Sequence, residues 1–303
     1  MSKSAKWFLA ILAVLLVVGG VFLLFLYSAL RALEPGTRET VVSGRGEKLA
    51  IVELKGPIES SEEIVRQLKK YREDESVKGI VLRIDSPGGG VVASQEMYEE
   101  VKKTREGGKP VVVSMGSLAA SGGYYVACGA SRLVANPGSL TGSIGVIGEF
   151  LQLHEALNKL GIGVKTIKSG RLKDAGSLTQ PMSKDAEKYF QSLMDDVHDQ
   201  FIRVVEKERQ LDHNAVMAIA DGRVFTGEHA LTLGLIDTLG TFEDAIRIAA
   251  DLAGIKGEPA LVRERERKPL LDRILNEVGL DVREVKNAVF ERPVLSYRFV
   301  PPF

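Results

Sequence analysis

An alternation of short apolar runs with amphipathic stretches, from Lys48 to about residue 253, constrains the fold of this chain more than any other feature. Short apolar runs suit buried strands, and apolar residues three and four positions apart suit one face of a helix. Strands are predicted at 49–54, 79–84, 111–114, 133–135 and 164–167, and helices at 62–71, 93–104, 151–160, 183–208 and 242–253. Repeated βα units predict a mostly parallel sheet with helices on its faces.

Charge and composition argue against several classes of function. Forty basic residues balance forty acidic ones, so no overall positive field attracts nucleic acid. The single cysteine, Cys128, cannot form an intrachain disulfide and lies in an apolar run typical of core packing. No metal or other cofactor is predicted, because no zinc-site spacing links the four histidines, His154, His198, His213 and His229.

The amino-terminal residues 7–27 form an uncharged apolar run long enough to span a bilayer as a helix. Lys3 and Lys6 precede the run and favour a cytoplasmic amino terminus, although Arg31 weakens that asymmetry. A cleaved signal peptide is the alternative, but its apolar core is usually about 7–15 residues long and precedes a small-residue cleavage site. We therefore expect a single-pass anchor in the cell membrane, with the rest of the chain on the extracytoplasmic side.

Residues 85–90, Asp-Ser-Pro-Gly-Gly-Gly, directly follow the predicted strand at 79–84. In doubly wound sheets, binding sites form beyond the carboxyl ends of the strands. Glycines there can present backbone N–H groups to an anion, either a phosphate or a developing oxyanion. A plain turn explains the same residues, and the segment lacks the Gly-Lys-Ser/Thr ending of a P-loop.

Ser121 lies between two alanines and two glycines in the segment 119–123, where a helix is predicted to begin after the strand at 111–114. Small neighbours allow another backbone to approach closely, and the positive end of a helix favours negative charge on an attacked carbonyl. A serine that only caps the helix fits the same pattern. Ala119 departs from the G-x-S-x-G nucleophile motif, and Tyr124 stands where the S-x-x-K motif has its lysine.

A serine nucleophile needs a base, and the segment 168–174 (Lys-Ser-Gly-Arg-Leu-Lys-Asp) offers lysines directly after the predicted strand at 164–167. An ordinary lysine has a pKa of about 10.4, so a neutral amine near pH 7 requires burial in an apolar pocket, which lowers lysine pKa values. A solvated surface lysine is the alternative for such a loop.

Four motifs in order resemble the signal peptide peptidase SppA family over residues 49–253, and the amino-terminal apolar run matches as well. The motifs are Asp85-Ser-Pro-Gly-Gly-Gly, Ala119-Ala-Ser-Gly-Gly-Tyr-Tyr, Thr141-Gly-Ser-Ile-Gly-Val and Ser169-Gly-Arg-Leu-Lys-Asp. The resemblance implies an α/β fold, a ClpP/crotonase-like spiral of ββα units preceded by one transmembrane helix. The boundaries then expected are 1–30 for the anchor, 31–46 for a linker, 47–255 for the peptidase domain and 256–303 for a helical extension and tail.

The resemblance also implies the chemistry. Ser121 is the nucleophile and Lys173 the general base of a Ser/Lys dyad, and Ser143 matches the serine that orients the lysine. The implied activity is that of a membrane-bound serine endopeptidase, without a cofactor, that degrades cleaved signal peptides and similar apolar peptides. Because family members assemble into rings, a homo-oligomeric ring is expected.

The same resemblance implies how a peptide binds. The N–H groups of Gly89 and Gly122 match the oxyanion hole. An extended substrate lies as an added strand along Gly88, Gly90 and Val91. Bulky side chains beside the nucleophile would obstruct the substrate carbonyl or the oxyanion hole.

Two features of the site stay open at this point. Sequence spacing does not decide whether Lys173 serves the serine of its own chain or of a neighbour, and we hypothesise the neighbour because a subunit boundary buries an amine more easily. Residues 296–303 carry two prolines and are expected to form an extended tail. We hypothesise that this tail can lie in an active-site cleft as a substrate mimic.

Two rival functions use the same fold. A membrane-tethered scaffold would keep the fold without turnover. A crotonase-type acyl-CoA hydratase or isomerase would share the glycine-rich oxyanion hole but generally uses carboxylates as acid and base. Ser121, Ser143 and Lys173 argue against both rivals, and a membrane anchor argues against the second.

Overall fold

The computed structural model describes residues 18–20, 22, 37–266 and 296–299. The chain divides into two compact units, one of residues 1–40 and 264–290 and one of residues 41–263 and 291–303. All candidate site residues lie in the second unit. The predicted anchor at 7–27 falls outside the described residues, apart from 18–20 and 22, which are helical. Across the described part of the chain, no helix combines the length and the apolar character that crossing a bilayer requires.

Strands and helices alternate along the described residues much as the sequence predicts. The strands are β1 (Thr37–Ser43), β2 (Lys48–Lys55), β3 (Val77–Ser86), β4 (Gly88–Gly90), β5 (Val111–Ala120), β6 (Arg132–Ala135), β7 (Leu140–Gly142), β8 (Val224–Thr226), β9 (Thr238–Leu239), β10 (Ala260–Glu266) and β11 (Ser296–Arg298). The helices are α1 (Glu62–Glu73), α2 (Val91–Glu106), α3 (Gly122–Cys128), α4 (His154–Lys159), α5 (Lys184–Arg209), α6 (His213–Met217), α7 (Gly227–Thr232) and α8 (Phe242–Leu252).

Most of these strands form one sheet of nine strands. Its order is β1-β10-β2-β3-β5-β6-β9, with β7 paired to β5 and β8 paired to β7. Six neighbouring pairs are parallel, namely β10–β2, β2–β3, β3–β5, β5–β6, β6–β9 and β5–β7. The pair β7–β8 is antiparallel. The predicted mixed α/β fold with a mostly parallel sheet is therefore confirmed at that level. The finer description as a spiral of ββα units and the domain boundaries stay predictions.

The central strand β3 is buried on both faces, as expected of a parallel sheet with helices on either side. Leu82 and Ile84 point into the larger apolar core, which also contains side chains of α1, α2, α3 and α5. Val81 points the other way, into a second core with Val112 and α8. Alternate residues of one strand thus anchor helices on opposite faces.

The carboxyl ends of three strands bring the sequence motifs to one edge of the sheet. Ser86, just before β4, lies opposite Ala119 in the parallel pairing of β3 with β5. Ala120, just before Ser121, lies opposite Gly142 at the end of β7. The glycine-rich strand, the candidate nucleophile and the segment that begins with Ser143 therefore meet at this edge.

The predicted strand at 164–167 is wrong. These residues have no regular structure, and both Val164 and Ile167 are exposed, the latter at 91% of its surface. Their apolar pattern is typical of a strand, but no strand edge of the described chain pairs with them. The candidate base Lys173 therefore follows an exposed irregular segment rather than a strand of the sheet.

The segment assigned to a helical extension also begins differently from the prediction. Residues 260–266 form β10, which pairs in parallel with β2 so that Ala260 lies opposite Lys48. Val262 is fully buried in the larger core. The sheet therefore continues beyond residue 255, where the peptidase domain was expected to end. Residues 267–295 of this segment lie outside the described residues.

Truncation of the central strand tests this packing. Leu82→Ala removes a side chain with no exposed surface, so the free energy of unfolding should fall by about 2–5 kcal/mol. Leu252→Ala is the matched control, because that leucine is 47% exposed at the end of α8, and its cost should stay within about 0.5–1 kcal/mol. Urea unfolding of both variants measures the difference, and equal costs would contradict the described core.

Candidate active site

Ser121 connects β5 to α3 in a backbone conformation that is unfavourable for any residue with a side chain. Its φ is 53° and its ψ is −116°. Its backbone is held by the N–H of Ser121, which donates to the Gly142 carbonyl at 2.7 Å, and by its own carbonyl, which accepts from the Tyr125 N–H at 2.8 Å. Strained backbone that is fixed by its surroundings is typical of functional positions.

The Ser121 hydroxyl is buried and makes no hydrogen bond within the described part of the chain. The residue is 1% exposed, and its Oγ has no partner. It does not cap α3 with its side chain, so helix capping does not explain this serine. A buried hydroxyl without a partner is costly in a protein core. This loss of stability is expected at an active site, where a hydroxyl that acts as a nucleophile must stay available to the substrate.

The small residues around Ser121 follow from the close approach of neighbouring groups. A Cβ atom on Gly122 would lie 2.5 Å from Ser94 Oγ and 3.1 Å from the Tyr297 carbonyl oxygen. A Cβ atom on Gly123 would lie 3.1 Å from the Ser86 carbonyl oxygen. Side chains at these positions would displace either the core or the chain that crosses in front of the serine.

In the glycine-rich strand β4, the backbone N–H of Gly89 does not bond to Ile58 and faces the opposite edge of the strand. Gly88 has φ of +90°, which favours glycine, and its N–H donates to Ser86 Oγ at 3.1 Å. On one edge of β4, the Gly90 N–H donates to the Ile58 carbonyl at 2.7 Å, and the Ile58 N–H donates to the Gly88 carbonyl at 2.9 Å. The Gly89 N–H is left for the opposite edge.

That opposite edge is occupied by the carboxyl-terminal tail. The strand β11 runs antiparallel to β4, with Ser296 opposite Gly90, Tyr297 opposite Gly89 and Arg298 opposite Gly88. The pairing continues with the Phe299 N–H, which donates to the Pro87 carbonyl at 2.7 Å. Residues 296–299 therefore lie along the glycine-rich strand, as the hypothesis requires, and their role as a substrate mimic stays a hypothesis. Residues 300–303 lie outside the described residues.

The tail is held on its other side as well. Ser296 exchanges two backbone hydrogen bonds with Ile147, of 3.0 and 3.1 Å. The tail therefore forms the middle strand between β4 and the segment after Ser143. An extended peptide that binds by strand addition makes this kind of contact on both edges.

The carbonyl oxygen of Tyr297 lies against the backbone beside Ser121. A Cβ atom on Gly88 would lie 2.0 Å from this oxygen and 2.5 Å from the Gly122 nitrogen. The oxygen, Gly88 and the start of α3 thus occupy one small region. Gly89 and Gly122, the two residues expected to form the oxyanion hole, both border it.

Ser143 is the second residue with an unusual backbone. Its φ is 52°, it is 5% exposed, and its N–H donates to the Arg223 carbonyl at 2.8 Å. It lines a cavity of about 390 Å³ together with His198, Arg298 and Phe299. The structure therefore places Ser143 at the cleft beside the tail, and its expected role in orienting the lysine stays a prediction.

Lys173 makes no hydrogen bond to the Ser121 hydroxyl within the described part of the chain. Its side chain is exposed and has no hydrogen-bond or ion-pair partner among the described residues, although its backbone N–H donates to the Gly170 carbonyl at 3.2 Å. The neighbouring Lys168 is engaged instead, because its amine pairs with Asp174 and donates to the Arg171 carbonyl at 3.0 Å. The hydrogen bond from the Lys168 amine to Asp174 lowers the pKa of the Asp174 carboxyl.

Aromatic side chains below the tail form an apolar wall that sequence reasoning missed. Tyr125 of α3 and Phe201 of α5 pack against the ring of Tyr297, and burial raises the pKa of Tyr125 to about 12. Burial also raises the pKa of Tyr297. Phe201 lies 80 positions from Ser121, and only its place on the apolar face of a long helix offers a sequence signal.

Within the described residues, no group of three or more histidine, cysteine or acidic side chains is arranged to hold a metal ion. The groups that the fold brings to this edge are the hydroxyls of Ser121 and Ser143 and the backbone N–H groups of the glycine-rich segment. Hydroxyls can attack a carbonyl, and backbone N–H groups can stabilise the resulting oxyanion.

Comparison with known proteins agrees with this arrangement. Residues 103–256 match the family described as Peptidase family S49, and residues 36–138 match that described as Clp protease. "Putative protease slr0021" from Synechocystis sp. is 42% identical over 229 residues, which cover 75% of this chain and 82% of that protein.

Two further relatives are longer than the matched region. "Putative signal peptide peptidase SppA" from Enterococcus faecium is 42% identical over 180 residues, which cover 59% of this chain and 52% of the relative. "Serine protease SPPA, chloroplastic" from Arabidopsis thaliana is 33% identical over 242 residues, which cover 77% of this chain and 36% of the relative. The matches thus span about half or less of these two proteins. The chain therefore belongs to peptidase family S49 and is a serine protease of that family.

Proposed function

We propose that this serine protease is a membrane-bound endopeptidase that cleaves extended apolar peptides, including the remnants of cleaved signal peptides, with a Ser/Lys dyad. The observation that carries the proposal is the environment of Ser121. Ser121 has a strained backbone and a buried hydroxyl without a hydrogen-bond partner among the described residues. The nearby strand β4 binds the extended tail, and the Tyr297 carbonyl oxygen of the tail lies close to Gly88 and Gly122 at the same edge of the sheet.

The reaction follows from these positions. Ser121 Oγ attacks the peptide carbonyl carbon while its proton passes to the base, and the N–H groups of Gly89 and Gly122 bind the resulting oxyanion. The carbon–nitrogen bond then breaks, and the leaving amine takes the proton from the base. Water attacks the acyl-enzyme, gives a proton to the base, and releases the carboxylic acid while Ser121 regains its proton.

The proposed base is Lys173 of a neighbouring copy of the chain, with Ser143 orienting its amine. The exposure of Lys173 within one chain supports delivery across a subunit boundary. The segment around it also exposes large apolar side chains, which favour coverage by another protein surface. These side chains belong to Leu151, Leu153, Leu160, Ile162, Val164, Ile167 and Leu178.

Such coverage would do two things at once. It would bury apolar surface, which drives association, and it would remove water from the amine, which favours the neutral form that can accept a proton. A head-to-tail contact of this kind repeats from copy to copy and forms a ring when the rotation between neighbouring copies closes on itself. We therefore propose a homo-oligomeric ring of the ClpP/crotonase-like fold. Residues 7–27 would anchor it, with the catalytic domains on the extracytoplasmic side of the cell membrane.

Substitution of two buried serines distinguishes an effect on peptide hydrolysis from an effect on the free energy of unfolding. Ser121→Ala should lower peptide hydrolysis by at least about 10³-fold, as loss of a nucleophile does, with the free energy of unfolding kept within about 1 kcal/mol. Ser139→Ala is the matched control. Its Oγ donates to the Gly116 carbonyl at 2.6 Å, so its loss should cost about 1–3 kcal/mol while folded protein keeps its activity.

Peptide hydrolysis and urea unfolding of both variants give the four measurements. Full hydrolysis by Ser121→Ala would remove the nucleophile from the proposal. If wild-type protein cleaved no peptide, the chain would instead fit a scaffold of the same fold.

Mixed oligomers test the origin of the base. Ser121→Ala and Lys173→Ala chains should each be inactive alone, but their co-expression should restore about a quarter of the sites, because each restored site combines a serine and a lysine from different chains. In the control, Ser121→Ala chains are co-expressed with chains that carry both Ser121→Ala and Lys173→Ala. This mixture should stay inactive. Inactive mixtures of the two single variants, in oligomers shown to contain both chains, would contradict delivery by a neighbour.

A further inference from the structure

The strand β5 contains two extra residues just before it reaches Ser121. In its parallel pairing with β3, Met115 lies opposite Ile84, but Ala119 lies opposite Ser86. Two steps along β3 therefore correspond to four steps along β5. Extra residues of this kind bend a strand and redirect the side chains that follow, and they are frequent beside active sites.

This insertion decides which residue of β5 reaches the catalytic edge of the sheet. With an unbroken register, Ser117 would lie opposite Ser86, and Ser121 would lie two residues further along the strand direction. Because a strand rises about 3.3 Å per residue, the hydroxyl of Ser121 would be displaced by about 7 Å. Attack on a bound carbonyl requires contact distance, so the chemistry proposed for Ser121 depends on the insertion.

The side chain of Asp85 bridges the gap that the insertion leaves between the two strands. Its Oδ1 accepts a hydrogen bond from the Leu118 N–H at 3.1 Å. Its carboxyl group also lies against Gly116, where a Cβ atom would come within 2.8 Å of Asp85 Cγ. The backbone of Asp85 is fixed on its other side, since its carbonyl accepts from the Gly56 N–H at 2.9 Å. The carboxylate therefore supplies a contact between β3 and β5 where the regular pairing is interrupted.

The start of the insertion is held by other contacts. Met115 is paired with Ile84, and the Gly116 carbonyl accepts from Ser139 Oγ at 2.6 Å. Because two contacts hold this end, loss of the Ser139 hydroxyl alone should leave it in place. The Asp85 carboxylate acts at the other end of the insertion, closer to the nucleophile.

The hydrogen bond from Leu118 to Asp85 connects the two segments that carry the reacting groups. Leu118 lies three residues before Ser121, and Asp85 lies four residues before Gly89, whose N–H is proposed to bind the oxyanion. We infer that Asp85 is a positioning residue, which sets the Ser121 hydroxyl at attacking distance from the carbonyl bound at Gly89. The inference deepens the proposed function and rests on it.

Loss of the Asp85 carboxylate should slow the reaction more than it weakens peptide binding. Asp85→Ala leaves the Leu118 N–H without this partner and lets the end of β5 shift, whereas β4 keeps its hydrogen bonds to Ile58. A shift of about 1 Å in a reacting group can cost about 10²-fold in rate. We expect kcat to fall by about 30–100-fold, with KM within about 3-fold of wild type.

A conservative variant tests whether the hydrogen bond carries the effect. Asp85→Asn keeps a carbonyl oxygen that can accept from the Leu118 N–H and has nearly the same shape. Its kcat should stay within about 5-fold of wild type. If Asp85→Asn folds and is as slow as Asp85→Ala, positioning through this hydrogen bond is wrong.

A second variant changes the same contact from the side of β5. Gly116→Ala keeps the carboxylate but places a methyl group against it, which moves the carboxylate away from the strand. Its kcat should fall by about 10-fold. This variant also covers the case in which Asp85→Ala does not fold, because an unchanged kcat in folded Gly116→Ala would overturn the inference.

Ser131→Ala is the matched control. The Ser131 Oγ accepts from the N–H of Val111, the first residue of β5, at 3.1 Å. The variant loses the same kind of contact on the same strand, but ten residues before Ser121. Its kcat and KM should both stay within about 2-fold of wild type.

The measurement is steady-state hydrolysis of a quenched fluorogenic peptide of leucine, alanine and tyrosine by the assembled full-length proteins. Urea unfolding gives the folded fraction of each variant. Cleavage by wild type together with an unchanged kcat in folded Asp85→Ala would overturn the inference and leave the endopeptidase standing. Wild-type protein that does not hydrolyse the peptide would overturn the proposed function and, with it, the inference.

Discussion

The close approach of three backbones at one sheet edge is the constraint on which the rest of the site depends. The strand β4, the start of α3 and the tail residue Tyr297 come within van der Waals distance, and only glycine at Gly88 and Gly122 leaves room for all three. At the same edge, two backbone hydrogen bonds hold Ser121 in its strained conformation, and its side chain is buried. Backbone strain and burial thus coincide at this serine.

Much of this arrangement could be predicted from the sequence because it depends on local patterns. Apolar periodicity predicted the parallel sheet, and strand ends predicted the meeting of the glycine-rich segment with Ser121. The aromatic wall below the tail could not be predicted, because Phe201 reaches Tyr297 through long-range packing. The sequence pattern of its helix is that of an ordinary amphipathic helix. The predicted strand at 164–167 is wrong because a short apolar pattern does not specify a neighbouring strand with which to pair.

In the proposed mechanism, one chain does not supply a complete site. The proposed nucleophile and its neighbours are assembled by the fold of one copy, whereas the proposed base lies on an exposed segment with apolar side chains. An enzyme divided in this way would be inactive until it assembles. Assembly would then limit cleavage to the place where the chains gather, which for an anchored protein is the membrane surface.

Activation of the Ser121 hydroxyl by Lys173 can be measured by labelling with a fluorophosphonate, a reagent that reacts with activated serines. The measurement is the rate and site of adduct formation on the assembled full-length protein, read by mass spectrometry of its peptides. If Lys173 activates Ser121, the adduct forms on Ser121, and it forms at least about 100-fold more slowly in Lys173→Ala. Labelling of a different residue, or an unchanged rate without Lys173, would contradict this activation.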